Sequence, residues 1–256
     1  MESVRFTAER SSRGVVERDF TVGEVPGVLW SPASAPEQAA LVLMGHGGGL
    51  HKKTPALVSR AHEMVTTWGH AVVAIDAPGH GERPVSVEDA QARAEFRHAM
   101  SEGDVARFEA VSVRYAISLA ERAVPEWRAT LDAVTELSEI GPDAPVGYGG
   151  GISLGTAIGL PLTAVEPRIR AAIFGGGFFV YEELMAAARR ITVPVQFLLP
   201  WDDEYVDRAS TLALFDAFAS QEKTLHANPG DHRTIRWVGI DQEFLPRHLG
   251  RAGKTT

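Results

Sequence analysis

Cysteine is absent from the 256-residue sequence, which excludes disulfides, a thiol nucleophile and any Cys-ligated zinc or iron–sulfur site. The reactive groups must then be hydroxyl, imidazole or carboxylate. Long apolar runs are missing too: no stretch reaches the roughly 18 uninterrupted apolar residues of a spanning helix. Residues 1–10 are charged and lack the apolar run of a secretion signal. The expected location is cytoplasmic, with no membrane partner. A positive excess is also lacking, because the formal net charge is -8. Nucleic acid and anionic lipid, which call for clustered Lys and Arg, are therefore disfavoured. What is present is ordinary for a folded protein: 45% hydrophobic and 23% charged residues, enough for a sizeable core. There is no internal repeat or low-complexity tract, so residues 1–256 are expected to form one domain.

Residues 15–30 carry β-branched, alternating runs broken by Gly23 and Pro26, the pattern of an antiparallel pair. Further on, short apolar runs at 40–44, 71–75, 146–148, 171–174 and 193–199 read as buried strands. Residues 223–227 read as the last strand. Helical spacing occurs between them at 55–67, 125–140, 156–164, 181–191 and 209–220. This βα alternation predicts a mostly parallel sheet covered on both faces, with ligands bound beyond the strands' C-terminal ends. Residues 84–124 are too long for a simple connection. Val105, Phe108, Val111, Tyr115 and Leu119 share a helical face there, so the segment is a helical insertion. It is either an extra helix packed on the body or a lid over the site. The basic tail 247–256 is expected to fray.

Directly after the strand at 146–148 comes Gly151-Ile152-Ser153-Leu154-Gly155, followed by a helix. This is the G-x-S-x-G pattern in the strand–turn–helix context it requires. A serine there stands above the sheet at a helix N-terminus, where the dipole favours developing negative charge. After the strand at 40–44 comes Gly45-His46-Gly47-Gly48-Gly49, a loop whose bare backbone could present an N–H to a substrate oxygen. Gly48 is the first choice for that donor, with Gly47 and Gly49 as alternatives, and the amide of Leu154 is the second donor. Acidic residues Asp202, Asp203 and Glu204 follow the strand at 193–199, and His232 follows the last strand. An imidazole there can take the serine proton and return it to a leaving group.

The chain order Ser153, acid, His232, together with the glycine loop, resembles the α/β-hydrolase superfamily over residues 39–232. The glycine loop and Asp76-Ala77-Pro78-Gly79-His80-Gly81 make it most similar to the small esterase and dienelactone-hydrolase-like branch. Family members carry D-x-x-V at the acid position, which Asp203 and Val206 match, so the resemblance implies a Ser153–Asp203–His232 triad and leaves Asp202 as a loop residue. It also implies an α/β fold with a mostly parallel eight-stranded sheet, helices on both faces and no cofactor. Dienelactone hydrolases proper use a cysteine nucleophile, which this chain lacks.

The expected function is cleavage of a carboxylic ester or lactone, a small-molecule substrate, through an acyl-enzyme. A thioesterase, peptidase, acyltransferase or C–C hydrolase on the same triad remains open, as does a non-catalytic binding module. His51, Phe178, Phe179 and Trp201 are candidate pocket residues, and a homodimer is compatible with the sequence. His46 and His80 read as structural turn residues and His226 as part of the last strand. No metal is expected, since His62-Glu63 is followed by Thr66 where a helical zinc motif needs a second His.

Overall fold

The computed structural model describes residues 2–34, 39–150, 153–176, 179–204 and 207–250. Its strands are β1 (Val4–Ser12), β2 (Val15–Val22), β3 (Val25–Pro32), β4 (Leu41–Met44), β5 (Ala71–Ile75), β6 (Val146–Gly149), β7 (Ile169–Gly175), β8 (Val195–Pro200) and β9 (Lys223–Asn228). They form one sheet in the order β1-β2-β3-β5-β4-β6-β7-β8-β9. β1, β2, β3 and β5 pair antiparallel in sequence, and every pair from β5 to β9 is parallel. The sheet therefore has nine strands among the described residues, not the eight expected. The addition is β1, an edge strand whose residues are almost all exposed.

The helices are α1 (Pro55–Trp68), α2 (Val87–Glu102), α3 (Val105–Thr135), α4 (Leu154–Val165), α5 (Glu182–Ala188), α6 (Arg208–Ala217) and α7 (Phe244–Leu249). β4, β5 and β6 are buried at every position, as strands covered on both faces must be. One core cluster joins the sheet to residues of α3, α4, α5 and α6, and a second joins the opposite face to α1 and α7. The fold is that of a mostly parallel sheet sandwiched by helices, with a helical insertion between β5 and β6. Among the described residues no helix is long and apolar enough to cross a membrane.

Two further expectations need correction. The helices read separately within 84–124 and at 125–140 are one element: α3 runs through Pro125 to Thr135. Residues on both sides of the proline, Leu119 and Ala123 before it and Trp127, Leu131 and Val134 after it, are buried in the same core. Burial of such side chains, at about 1.5–3 kcal/mol each, outweighs the proline's cost of about 3 kcal/mol. The start of the tail, residues 247–249, is helical rather than frayed. Residues 244–249 form α7, with Phe244, Leu245 and Leu249 buried, whereas residues 251–256 lie outside the described ones.

Candidate active site

The turns that carry the candidate residues all leave the C-terminal ends of parallel strands, and they converge on one end of the sheet. Ser153 caps α4 with φ 65° and ψ -112°, a backbone conformation that a non-glycine residue adopts only under strain. The surroundings hold it there. Ser153 N–H donates to Gly176 O at 3.1 Å, Gly150 N–H to Ile173 O at 3.0 Å, and Gly175 N–H to Thr156 Oγ1 at 2.8 Å, tying the turn to the end of β7. The buried Tyr148 hydroxyl donates to Gly155 O from beneath. Close approach explains the glycine at 45: a Cβ on it would stand 2.5 Å from the Tyr148 oxygen and 3.0 Å from Gly155 Cα. Leu154 is the first residue of α4, so its N–H has no acceptor within the helix. Gly151 and Ile152, the first half of the motif, lie outside the described residues.

His232 and Asp203 meet although 29 positions separate them: His232 Nδ1 is 2.7 Å from Asp203 Oδ2, and the His232 backbone N–H donates to the same oxygen at 3.0 Å. The Asp203 side chain is 2% exposed and that of His232 22%. With Nδ1 bonded to a carboxylate, it carries the ring proton and leaves Nε2 as the basic nitrogen. Asp202 has a different place. Its carboxylate accepts from Gly230 N–H at 3.0 Å and its own N–H donates to Gly230 O at 3.2 Å, bracing the turn that precedes His232. Val206, which helped to single out Asp203, lies outside the described residues.

A cavity of about 490 Å³ opens between these turns and the insertion, within the usual range for small-molecule sites. Ser153, Leu154, His232, Gly48 and Gly49 line it, and Gly47 is not among the lining residues. Phe179 lines it as well. Phe178 lies outside the described residues. Neither His51 nor Trp201 reaches it: His51 is exposed and accepts from Lys53 N–H, and Trp201 stacks under Arg208 at 4.1 Å. Both residues are exposed.

The insertion at 84–124, read from the sequence as either an extra helix or a lid, supplies much of the remaining wall. Ala92, Arg93 and Phe96 of α2 and Phe108, Ser112 and Tyr115 of α3 are among the lining residues. Thus the helical face noted in the sequence, through Phe108, Tyr115 and Leu119, lines the cavity. Arg93 donates to Gly79 O at 2.8 Å and to the Tyr115 hydroxyl at 3.2 Å, fixing the insertion to the loop after β5.

The two glycine loops are joined by groups the sequence left unassigned. Lys52 and Asp76, 3% and 0% exposed, form a 2.7 Å ion pair. Asp76 also accepts from the Lys52 and Glu82 amides. Burial alone would raise the Asp76 pKa, but these hydrogen bonds and the ammonium charge bring it below the usual carboxylate value. His46, 5% exposed, bridges the same loops: Nε2 accepts from Ala77 N–H at 3.0 Å and Nδ1 donates to Gly47 O at 2.9 Å. Burial holds it neutral, with its pKa lowered to about 4. His80 lies in the turn, bonded to Pro78 O and also facing the cavity, and His226 lies within β9.

No protein-family model and no curated protein matches the chain. Solved structures do. A PEG-bound complex of a cold-adapted esterase from an Arctic intertidal metagenomic library is 33% identical over 96% of this chain and 99% of that one, with a TM-score of 0.70. The chain belongs to the α/β-hydrolase superfamily. Two α/β-hydrolase-fold structures of lower identity share its architecture. Acetyl xylan esterase 1 from Thermoanaerobacterium sp. JW/SL YS485 is 15% identical over 92% of this chain and 84% of that one, TM-score 0.65. A dienelactone hydrolase from Anabaena variabilis is 20% identical over 92% and 94%, TM-score 0.56. This α/β-hydrolase falls among the esterase and dienelactone-hydrolase-like members and is carboxylesterase-like.

Proposed function

We propose that this α/β-hydrolase cleaves a carboxylic ester or lactone through an acyl-enzyme on Ser153. The observation that carries the reading is a strained serine opening onto the same cavity as an imidazole whose Nδ1 is held by a buried carboxylate. His232 Nε2 takes the Ser153 proton as Oγ attacks the carbonyl carbon, and Asp203 stabilises the resulting imidazolium. The N–H groups of Leu154 and Gly48 receive the oxyanion, at the α4 N-terminus where the helix dipole assists. His232 then protonates the leaving alcohol, and a water activated by the same nitrogen releases the acid. These steps call for no cofactor. Residues 1–256 act as one domain, in which the insertion at 84–124 serves as a cap over the acyl site.

A fluorophosphonate is expected to add once, on Ser153, by intact mass and peptide mapping. Ser153→Ala should lose the adduct and lower kcat on p-nitrophenyl acetate by roughly 10⁴-fold or more. Undiminished turnover by the pure variant would overturn the assignment. A panel of thioesters and aminoacyl amides beside the esters separates ester cleavage from the other reactions such a triad supports.

A further inference from the structure

Tyr181 stands where three hollows meet. It lines the active-site cavity, a groove of about 540 Å³ bounded by Ala106, Ala110, Ile117 and Val180, and a second groove of about 480 Å³ beside Val124 and Pro161. Val113 likewise faces both the cavity and the first groove. At that point the cavity wall is one side chain thick.

Elsewhere the wall is braced. Phe96, Phe108 and Phe179 form a continuous aromatic contact, with ring centroids 4.5 and 5.5 Å apart, and Arg93 is tethered to Gly79 O and Tyr115. Tyr181 has no such tether. Its hydroxyl is buried and, among the described residues, has no hydrogen-bond partner. Packing alone holds the ring. An alkyl arm that fills the cavity therefore meets its softest boundary at Tyr181 and Val113, and the space beyond is lined by Ala106, Ala110 and Ile117 of α3 together with Glu109 and Arg114.

We propose that Tyr181, together with Val113, is the partition that sets how long an alkyl arm the ester substrate can carry. The proposal rests on the serine-hydrolase reading above. With the partition in place the cavity suits esters with short or compact apolar arms; without it, the cavity and the groove along α3 become one channel that accepts long chains.

The test compares wild type with Tyr181→Ala, Val113→Ala and Tyr181→Phe on p-nitrophenyl esters from acetate to laurate, and on n-alkyl butyrates by pH-stat. These two series lengthen the acyl and the alcohol arm in turn. In at least one series, both alanine variants should raise the long-to-short ratio of kcat/KM about ten-fold or more, chiefly through a lower KM for the long ester. Tyr181→Phe should keep the wild-type profile, because it removes only a hydroxyl with no hydrogen-bond partner among the described residues. The proposal fails if both alanine variants, folded by thermal melt and labelled on Ser153 at the wild-type rate, keep the wild-type profile in both series. It fails equally if Tyr181→Phe shifts the profile as far as Tyr181→Ala. Should Tyr181→Ala not fold, Val113→Ala decides alone. A wild-type enzyme that takes no fluorophosphonate on Ser153 would instead bring down the hydrolase reading itself.

Discussion

Ser153, the proposed nucleophile, has a backbone conformation that costs stability, so function and stability should separate there. Strain at such a φ and ψ is worth about 1–3 kcal/mol, and glycine relieves it at some cost in unfolded-chain entropy. Ser153→Gly is accordingly expected to be more stable than Ser153→Ala by about 1 kcal/mol in urea unfolding, with both inactive. Equal stabilities would mean that the turn carries no strain. His46 gives a second residue-level expectation. Its folded pKa, about 4, lies below the ordinary 6.5, so between these values the unfolded chain binds more protons. Its contribution is complete above pH 6.5 and is lost as pH falls through 4. The shift corresponds to about 3 kcal/mol. Urea titrations at pH 7, 5 and 4 should show this decline in wild type, and His46→Gln should flatten it. An unchanged slope in the variant would assign the decline to other groups.

At the scale of elements, α2 and α3 are anchored at their starts and along their contact. Ser86 Oγ accepts from Asp89 N–H at 3.0 Å, and Asp104 Oδ1 accepts from Arg107 N–H at 3.0 Å. Arg122 clasps the 3%-exposed Asp89 carboxylate between the two helices. Removing one cap costs about 1 kcal/mol, and the first turns of α3 carry Phe108 and Ser112 into the cavity wall. Asp104→Ala should therefore loosen hydrogen exchange at the start of α3 and raise KM more than it lowers kcat. A fall confined to kcat would argue against these turns shaping the site. The proline that divides α3 in the sequence does not divide it in space. Local propensity marks a boundary at Pro125, whereas buried residues run from Leu119 to Val134 on both sides of the proline.

The whole molecule depends on closure of both sheet faces, and α7 closes one of them. Phe244, Leu245 and Leu249 are buried against the sheet, and β6 carries glycine at 147 because a Cβ there would sit 2.8 Å from a Leu249 methyl. Three such side chains contribute on the order of 6 kcal/mol, comparable to the total stability of an ordinary domain. A chain ending at residue 242 should lose its cooperative thermal transition. If it melts like the full chain, α7 is an accessory and the second core stands without it.

Much of this architecture is written locally in the chain. The buried strands announce themselves as apolar runs, and Ser153, the glycine loop and His232 follow strands at distances short enough to be read along the sequence. The choice of Asp203 over Asp202 was reached through resemblance; in space the two carboxylates differ by their partners, one imidazole and one turn. β1 was missed although Val4, Phe6 and Ala8 alternate with Arg5, Thr7 and Glu9, because the alternation is short and the strand almost wholly exposed; backbone pairing with β2 along its length makes it a strand. The individual wall residues of α2 and α3, such as Arg93 and Ser112, the Lys52–Asp76 pair and the place of Tyr181 between hollows came only from tertiary structure. Each joins residues distant in the chain, and a contact of that kind leaves no periodic or motif trace in either partner's neighbourhood. The sequence determined the sheet's parallel core and the order of reactive groups; packing decided what encloses them, because enclosure is a property of surfaces brought together by folding.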